Sequence, residues 1–369
     1  MNEKSIIKTS SALEAYLDQI SNDDGVVGID TEFMRENTYY PELCLIQLHS
    51  ESGSTCIDVL SDVALGPLSE FLSRPDVCSV FHSCRQDLEA LSTVFEIRIS
   101  NLFDTQVAAG FCGYADQISY ASMVEAICDV KLPKSHTRTD WRKRPLSQGQ
   151  IAYALDDVIY LPGIYRNLRE KLKQIDRLDW LNQECKEILD ISHSQQEDKL
   201  VEDAWKRVKN GGRLPLVSQH TLKALAAWRE KMAISKNLPR EWVLPGSTLM
   251  EISSKMPGGL QQLKALETLN KKHLQRYGNH ILEIVHRVRD SKPSETIWSE
   301  KSQLTPEQRK QLKAMMKLLG QIAEQNALSQ SLIANRAEVE KLLRGNTEIP
   351  LMQTWRRTLA GQSLTNLLD

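Results

Sequence analysis

Short apolar runs alternate with helical patterns over the first 190 residues. Four runs rich in β-branched and aromatic residues predict strands, at residues 25–33, 43–49, 55–60 and 77–82. The first three follow one another with short connections, which predicts an antiparallel meander. Helical periodicity then appears at about 85–95, 105–113, 118–129, 148–173 and 178–190. This alternation predicts an α/β domain at residues 1–190.

A different pattern occupies the rest of the chain. Residues 191–201 are polar and lack a period, which predicts a linker, and the apolar residues after them have helical spacing. Two segments match at an offset of 90 residues, which indicates an internal repeat. The matched positions are Leu238, Val243, Leu249 and Ile252 with Leu328, Ile333, Val339 and Leu342. The sequence therefore predicts two small helical domains, at residues 202–289 and 296–369.

Composition narrows the class of protein. The 369 residues suffice for two or three domains, and no apolar stretch is long enough to span a membrane. The first twenty residues are polar where a signal peptide is apolar, so we expect a cytoplasmic protein. The cysteines are odd in number and never spaced C-x-x-C, which favours neither a disulfide framework nor a zinc site.

Charge divides the chain into two unlike halves. The formal net charge is −2, yet residues 1–200 carry −13 and residues 201–369 carry +11. A basic half suits a polyanionic partner, because neutralised phosphates release counterions. The alternative is that two independently folded parts differ in charge without any functional reason.

Several acidic residues occupy positions at which local geometry should bring their side chains close together. Asp30 and Glu32 alternate along the first predicted strand and therefore share a face. Asp87 lies in the first turn of a predicted helix, and Tyr153 and Asp157 are spaced i and i+4 on one helix face. Carboxylates held close together repel unless a cation lies between them. Four carboxylates from a strand and two helices predict an oxygen-rich site for two hard divalent cations.

These segments resemble the DnaQ-like 3′-to-5′ exonucleases with four acids and a tyrosine, and among them the ribonuclease D family. The D-x-E motif matches Asp30 and Glu32, the acid before Leu-x-x-Leu matches Asp87, and Tyr-x-x-x-Asp matches Tyr153 and Asp157. Residues 134–146 are similar to the family connection S-x-x-DW-x-x-RPL, and the two helical segments resemble paired HRDC domains. The resemblance implies a ribonuclease H-like mixed sheet flanked by helices, followed by two all-α HRDC-like domains.

The resemblance also implies a function. It predicts an enzyme that uses two Mg²⁺ or Mn²⁺ ions to remove nucleotides from RNA 3′ ends, releases nucleoside 5′-monophosphates and trims tRNA precursors. Asp30, Glu32, Asp87 and Asp157 would hold the metals, and Tyr153 would orient the attacking water. We expect a monomer. The predicted substrate contacts are Thr31, Phe33, Met34, His82, Lys134, Arg142 and Arg144.

Several alternatives stay open at this stage. Asp104 follows a strand and precedes a helix, which favours a helix N-cap over a fifth catalytic acid. His82 suits either a substrate contact or a hydrogen-bonded residue at a strand end. The same acids would serve a 3′-to-5′ DNA exonuclease, since no residue is assigned to the 2′-hydroxyl. A catalytically silent nucleic-acid binding protein is the alternative from another class.

Overall fold

The computed structural model of the chain describes residues 6–133, 139–193, 197–295, 297 and 304–368. The chain divides into two compact units. The first unit comprises residues 1–34, 42–192 and 304–369, and the second comprises residues 35–41 and 193–303. The domain boundaries predicted from sequence stay predictions, because these units follow contacts in space and not the order of the chain.

The first unit contains one sheet with helices around it. Its strands are β1 (Ile6–Ile7), β2 (Val26–Met34), β3 (Glu42–Ser50), β4 (Gly53–Asp58), β5 (Cys78–Phe81) and β6 (Leu102–Asp104). The helices before residue 194 are α1 (Ser10–Ile20), α2 (Gly66–Leu72), α3 (Arg85–Ser92), α4 (Thr105–Phe111), α5 (Tyr120–Cys128), α6 (Gln148–Asp156), α7 (Leu161–Gln174) and α8 (Leu178–His193). Each of the four predicted strands is present, with its ends within two residues of the prediction.

The sheet is mixed, with strand order β1-β4-β3-β2-β5-β6. Strands β2, β3 and β4 are antiparallel neighbours, which confirms the predicted meander. Strands β5 and β6 continue the sheet parallel to β2, and β1 pairs parallel with β4 at the other edge. The two-residue β1 lies outside the predicted strands, because so short a run has no detectable period.

The long helix predicted at residues 148–173 is wrong as a single element. Helix α6 begins at a capping box formed by Ser147 and Gln150, and α7 begins at Leu161. Pro162 lies in the first turn of α7, where its missing N–H costs nothing. In a continuous helix, the proline ring would clash with the carbonyl group of Val158, so the chain turns at this point.

Helix α7 lies very close to β2 at Gly28. A Cβ atom built on Gly28 would lie 2.9 Å from both the Leu161 Cβ and the Val158 carbonyl oxygen. Real Cβ atoms do not approach backbone that closely, so only glycine lets the strand and the α6–α7 turn meet. Asp157 precedes Val158 in this turn, and its distance from β2 therefore depends on Gly28.

The second unit contains helices and no strand among its described residues. Its helices are α9 (Glu197–Glu202), α10 (Leu216–Ser235), α11 (Arg240–Val243), α12 (Gly246–Lys255), α13 (Leu260–Lys264) and α14 (Lys271–Ser291). The segment predicted as a linker is therefore helical on both sides of residues 194–196. Residues 35–41 join this unit through Tyr39, whose hydroxyl donates to Glu230 Oε1 at 2.5 Å and whose N–H donates to Asn237 Oδ1 at 3.0 Å.

Residues 304–368 repeat the start of the second unit but pack within the first unit. The helices here are α15 (Pro306–Gln325), α16 (Gln330–Ile333), α17 (Arg336–Leu343), α18 (Thr354–Arg356) and α19 (Gln362–Thr365). Helices α15 and α16 begin and end 90 residues after α10 and α11, and α17 begins 90 residues after α12, which confirms the predicted repeat.

The C-terminal helices share the core of the first unit. Trp355 stacks on Trp180 at a centroid distance of 4.9 Å and meets the ring edge of Phe111 at 5.1 Å. Arg356 forms a two-point ion pair with Glu184, and the Nη2–Oε2 distance is 2.9 Å. No helix among the described residues has the length and apolar composition that a membrane span requires.

Candidate active site

Two acids lie on one face of β2 near its end. Asp30 is paired with Gln47 of β3, and Glu32 is paired with Leu45 two positions along the ladder. Side chains two apart on a strand share a face, so Asp30 and Glu32 are neighbours as the sequence predicts. The ladder has an irregular register between Glu32 and Phe33, which ends the regular alternation just beyond the two acids.

The α6–α7 turn brings a third acid to this face. One carboxylate oxygen from each of Asp30, Glu32 and Asp157 lies within 4.8 Å of the others. Asp157 is the C-cap of α6 and keeps a helical backbone conformation, with φ −75° and ψ −9°. The predicted i, i+4 relation to Tyr153 therefore holds, and the Tyr153 hydroxyl hydrogen-bonds to the Asp157 carboxylate.

Asp87 adjoins this cluster from α3. It lies in the first turn of that helix and is only 7% exposed. Its Oδ1 accepts a hydrogen bond of 2.6 Å from the hydroxyl of Thr31, a buried residue of β2. The Thr31 hydroxyl thus holds a carboxylate, and the substrate contact predicted for Thr31 stays a prediction.

Burial raises the pKa of every acid in the group, and repulsion by other members of the group adds to it for Asp30 and Glu32. Burial is the largest cause for Asp30, whose pKa lies well above its usual range, and the charges of Asp87, Asp157 and Glu32 add to it. Burial, followed by the charges of Asp157 and Asp87, raises the pKa of Glu32 to about 8. Burial likewise raises the pKa values of Asp87 and Asp157 to about 7.

The donor set of this cluster fits hard divalent cations. Its potential ligands are carboxylate oxygens, which Mg²⁺ and Mn²⁺ prefer over nitrogen or sulfur donors. Acids whose pKa values are raised by mutual repulsion gain most from a nearby positive charge, because the cation stabilises their ionised forms. The residues present therefore fit a metal site.

Tyr153 faces the acids from α6. Burial first, and then the charges of Asp157, Glu32 and Asp30, raises the pKa of its phenol well above the ordinary value. Its ring stacks on Trp141 at a centroid distance of 6.2 Å and an interplanar angle of 30°. The phenol therefore stays protonated at neutral pH and is able to donate a hydrogen bond.

Arg144 has a structural role that the sequence did not predict. Its Nε and Nη2 donate to the two carboxylate oxygens of Asp58 at 2.8 and 2.6 Å. Its remaining N–H groups donate to the carbonyl oxygens of Trp141, Lys143 and Cys44. All five donors of the guanidinium are used. Arg144 thus ties the Trp141 segment to the sheet, and its predicted contact with substrate stays a prediction.

Asp58 is the partner of Arg144 that the sequence analysis did not identify. The sequence held one signal, because Asp58 lies within the strand predicted at 55–60, and a buried acid requires a cation or several hydrogen-bond donors. Nothing in the sequence spacing connects Asp58 to Arg144, which is 86 residues away. Their pairing is visible only in the folded chain.

The other predicted substrate contacts differ in their surroundings. His82 Nδ1 lies 2.8 Å from Thr105 Oγ1 and its Nε2 lies 2.9 Å from the Ile118 carbonyl oxygen, so both ring nitrogens are hydrogen-bonded within the protein. Burial lowers its pKa, which keeps the ring neutral. These contacts support the interpretation of His82 as a hydrogen-bonded residue at a strand end.

The remaining predictions concern five other residues. Asp104 caps α4 by accepting from the N–H groups of Gln106 and Val107, which confirms the N-cap prediction. Arg142 pairs with Asp140 at 2.8 Å. Phe33 and Met34 are partly buried beside the acids, and each packs against a core cluster. Lys134 lies outside the described residues.

Comparison with known protein families agrees with this fold. A family profile described as 3′-5′ exonuclease matches residues 5–173, and one described as HRDC domain matches residues 218–285. The mixed sheet with its acid cluster, followed by an HRDC domain, defines the class of protein as a 3′-to-5′ exonuclease. The HRDC-like nature of residues 296–369 stays a prediction.

Full-length relatives narrow this class to one family. Ribonuclease D of Acidiphilium cryptum is 33% identical over 371 residues, which cover 99% of this chain and 93% of the relative. Ribonuclease D of Bartonella henselae is 34% identical over 374 residues, covering 98% and 89%. The chain belongs to the ribonuclease D family. This confirms the predicted fold class and the predicted enzyme class, a 3′-to-5′ exoribonuclease.

A solved structure shows the same fold over the whole chain. The crystal structure of Escherichia coli RNase D, described as an exoribonuclease involved in structured RNA processing, matches with a TM-score of 0.90 and 31% identity. The match covers 100% of this chain and 99% of that chain. The division of the chain into an exonuclease sheet and helical segments is therefore a feature shared with that relative.

Proposed function

We propose that this enzyme shortens structured RNAs from the 3′ end, one nucleotide at a time, with tRNA precursors as its main substrates and nucleoside 5′-monophosphates as products. The observation that carries the proposal is the half-buried cluster of Asp30, Glu32 and Asp157, whose carboxylate oxygens lie within 4.8 Å of one another. The description of the Escherichia coli relative as an enzyme of structured RNA processing supports the choice of substrate.

In this proposal, Asp30, Glu32, Asp87 and Asp157 hold two divalent ions, either Mg²⁺ or Mn²⁺. When bound, such ions activate water and stabilise charge on phosphoryl oxygens. The protein's own contribution is to keep the carboxylates in place, which Thr31 does for Asp87 and Tyr153 does for Asp157. The single Tyr153 hydroxyl proton is donated to Asp157, so Tyr153 orients the attacking water by accepting a hydrogen bond from it through the phenolic oxygen, and its raised pKa argues against a general base.

The proposed contacts to the terminal nucleotide are Phe33 and Met34, which follow the D-x-E motif. Both are partly buried, so each presents part of an apolar side chain on which a base can stack or pack. Thr31, His82 and Arg144 support the site from within the protein. A cytoplasmic monomer stays the expectation from sequence.

The activity is tested with 5′-labelled tRNA precursor and matched single-stranded DNA, incubated with Mg²⁺, Mn²⁺ or EDTA. We expect RNA to shorten from its 3′ end in single-nucleotide steps, with complete inhibition by EDTA. Degradation of DNA alone would favour the DNA exonuclease, and cleavage of neither would favour the silent binding protein. Chromatography of the released mononucleotides distinguishes 5′- from 3′-monophosphates.

The second unit contributes to RNA affinity in this proposal. Lys209 and Arg213 flank the Gly211–Gly212 turn, are exposed, and form no ion pair with the described residues. We expect the double change Lys209→Gln and Arg213→Gln to weaken RNA binding several-fold and to lower the slope of log Kd against log salt by about 1 to 2. Hydrolysis of a short oligonucleotide should stay unchanged.

The matched control removes two positive charges from the first unit. Lys310 and Lys313 lie exposed on α15, in the first unit. Their joint change to Gln should leave the salt slope nearer to that of the wild type. An equal loss in both variants would assign the effect to net charge, and deletion of residues 202–369 is no substitute because residues 304–368 share the core of the first unit.

A further inference from the structure

Gln47 lies directly beside the acid cluster. It sits in the middle of β3, paired with Asp30 on β2 and with Cys56 on β4. Directly opposed residues of antiparallel strands project to the same face, so the Gln47 side chain shares the face of Asp30 and Glu32. Its side chain is completely buried, with 0% exposure.

The Gln47 amide has no partner in the described part of the chain. Neither its Nε2 nor its Oε1 forms a hydrogen bond there. Burying an amide without partners costs free energy, whereas a leucine or methionine of similar shape would avoid the cost. A buried polar group that opposes stability in this way points to a function, and the nearest functional group across the ladder is Asp30.

The acids of the cluster differ in the hydrogen bonds that they accept from side chains. Asp87 accepts from the Thr31 hydroxyl, and Asp157 accepts from the Tyr153 hydroxyl. Among the described hydrogen bonds, Asp30 accepts only from the backbone N–H of Thr31. Carboxylates that ligate metals are normally held by a donor in the surrounding shell. Gln47 is the uncommitted donor that the sheet register places opposite Asp30.

We propose that Gln47 is a positioning residue of the catalytic centre, and that its amide group donates a hydrogen bond to the Asp30 carboxylate and holds it as a metal ligand. The inference rests on the proposed function and extends it by one residue. No such hydrogen bond is among those described, so the Gln47 side chain must turn toward Asp30 in the metal-bound enzyme. The amide carbonyl oxygen remains available to accept from a buried water.

The test compares metal binding with stability in the full-length protein. Mn²⁺ is titrated into metal-free wild type and Gln47→Leu by calorimetry, and the Tm of each is measured with and without Mn²⁺. We expect Gln47→Leu to bind Mn²⁺ about tenfold more weakly, while its metal-free Tm is equal to or above that of the wild type. If the Gln47 amide has only a structural role, Gln47→Leu should show the same Tm result with no change in Mn²⁺ affinity. That result overturns the proposal.

The matched control is Ser79→Ala. The Ser79 hydroxyl on β5 is also buried and lacks a partner among the described groups, but its register opposite Val27 puts it on the other face of the sheet. Ser79→Ala should leave Mn²⁺ affinity unchanged. Should Gln47→Leu fail to fold, Gln47→Met supplies the same comparison with a more flexible side chain.

The possible outcomes distinguish failure of the Gln47 proposal from failure of the proposed metal-dependent function. Weak or absent Mn²⁺ binding by the wild type itself contradicts the metal centre. Binding that is lost in Asp30→Asn but kept in Gln47→Leu preserves the centre and removes Gln47 from it. If Gln47 acts through Asp30, the Gln47→Leu change in the Asp30→Asn background should produce no further loss of affinity, since a shared interaction is non-additive.

Discussion

Asp30→Asn is expected to lower kcat by at least about 10³-fold, because it removes a charged oxygen ligand from the centre of the metal site. The same change should raise the Tm of the metal-free protein. Asp30 lies half-buried among three other carboxylates, and its ionised form is opposed by desolvation and by their charges. The measurement is a single-turnover assay on a short RNA, with Tm recorded in EDTA.

The pH dependence of metal-free stability follows from the same acids. Their pKa values in the folded state lie above those in the unfolded chain, at about 8 for Glu32 and about 7 for Asp87 and Asp157. Folding therefore favours the protonated forms, a contribution that is full below about pH 4 and lost as pH rises through about 7 to 8. In EDTA, the Tm of the wild type should fall as the pH rises through this window. The Tm of Asp30→Asn should fall less.

The control for Asp30→Asn is Asp156→Asn. Asp156 is adjacent to Asp157 in α6 but is not one of the three residues whose oxygens converge. Consecutive helical residues point about 100° apart, so the Asp156 carboxylate is directed away from the cluster. Its change should cost little activity. Near-normal activity of Asp30→Asn, or an equal loss in Asp156→Asn, would contradict the assigned centre.

Local periodicity predicted which of the candidate residues share a face. Asp30 and Glu32 follow from strand alternation, and Tyr153 and Asp157 follow from helical spacing, both of which are fixed by backbone geometry. The partners of these acids could not be predicted in the same way. Thr31 and Asp87 are 56 residues apart, and only the packing of α3 on β2 brings them together.

The structural role of Arg144 shows what its position in the sequence does not reveal. Arg144 lies in residues 134–146, which are similar to a connection of the family, and it was predicted as a substrate contact. Composition cannot distinguish a cation that faces solvent from one that is paired with a distant acid. Asp58 is 3% exposed, and a carboxylate so buried requires the bidentate partner that Arg144 supplies.

The repeat at an offset of 90 residues illustrates a second limit. Apolar spacing predicts the helices of both copies, and Val243, Leu249, Ile333 and Val339 are all buried. Spacing shows which face of a helix is apolar but not what covers that face. Spacing alone therefore suggests that the second copy packs by itself, whereas its helices complete the core of the unit that holds the acids.

Gly28→Ala adds a single methyl group near the site and should damage both stability and activity. The added Cβ would meet the Val158 carbonyl oxygen and the Leu161 Cβ at 2.9 Å, so the strand and the α6–α7 turn must separate. Overpacking of this kind costs about 1–3 kcal/mol of stability. Because Asp157 precedes Val158, the separation also moves a carboxylate away from Asp30 and Glu32.

Gly28→Ala should reduce activity more severely than it reduces stability. A displacement on the order of 1 Å at a catalytic group costs about 10²-fold in rate, so we expect kcat and Mn²⁺ affinity to fall together while the protein stays folded at 25 °C. Gly163→Ala is the matched control, because Gly163 lies on α7 and a Cβ added there would meet no packed neighbour within 4 Å. That variant should gain up to about 1 kcal/mol from the better helix former and keep full activity. Loss of stability without loss of Mn²⁺ affinity in Gly28→Ala would show that Asp157 is positioned by α6 alone.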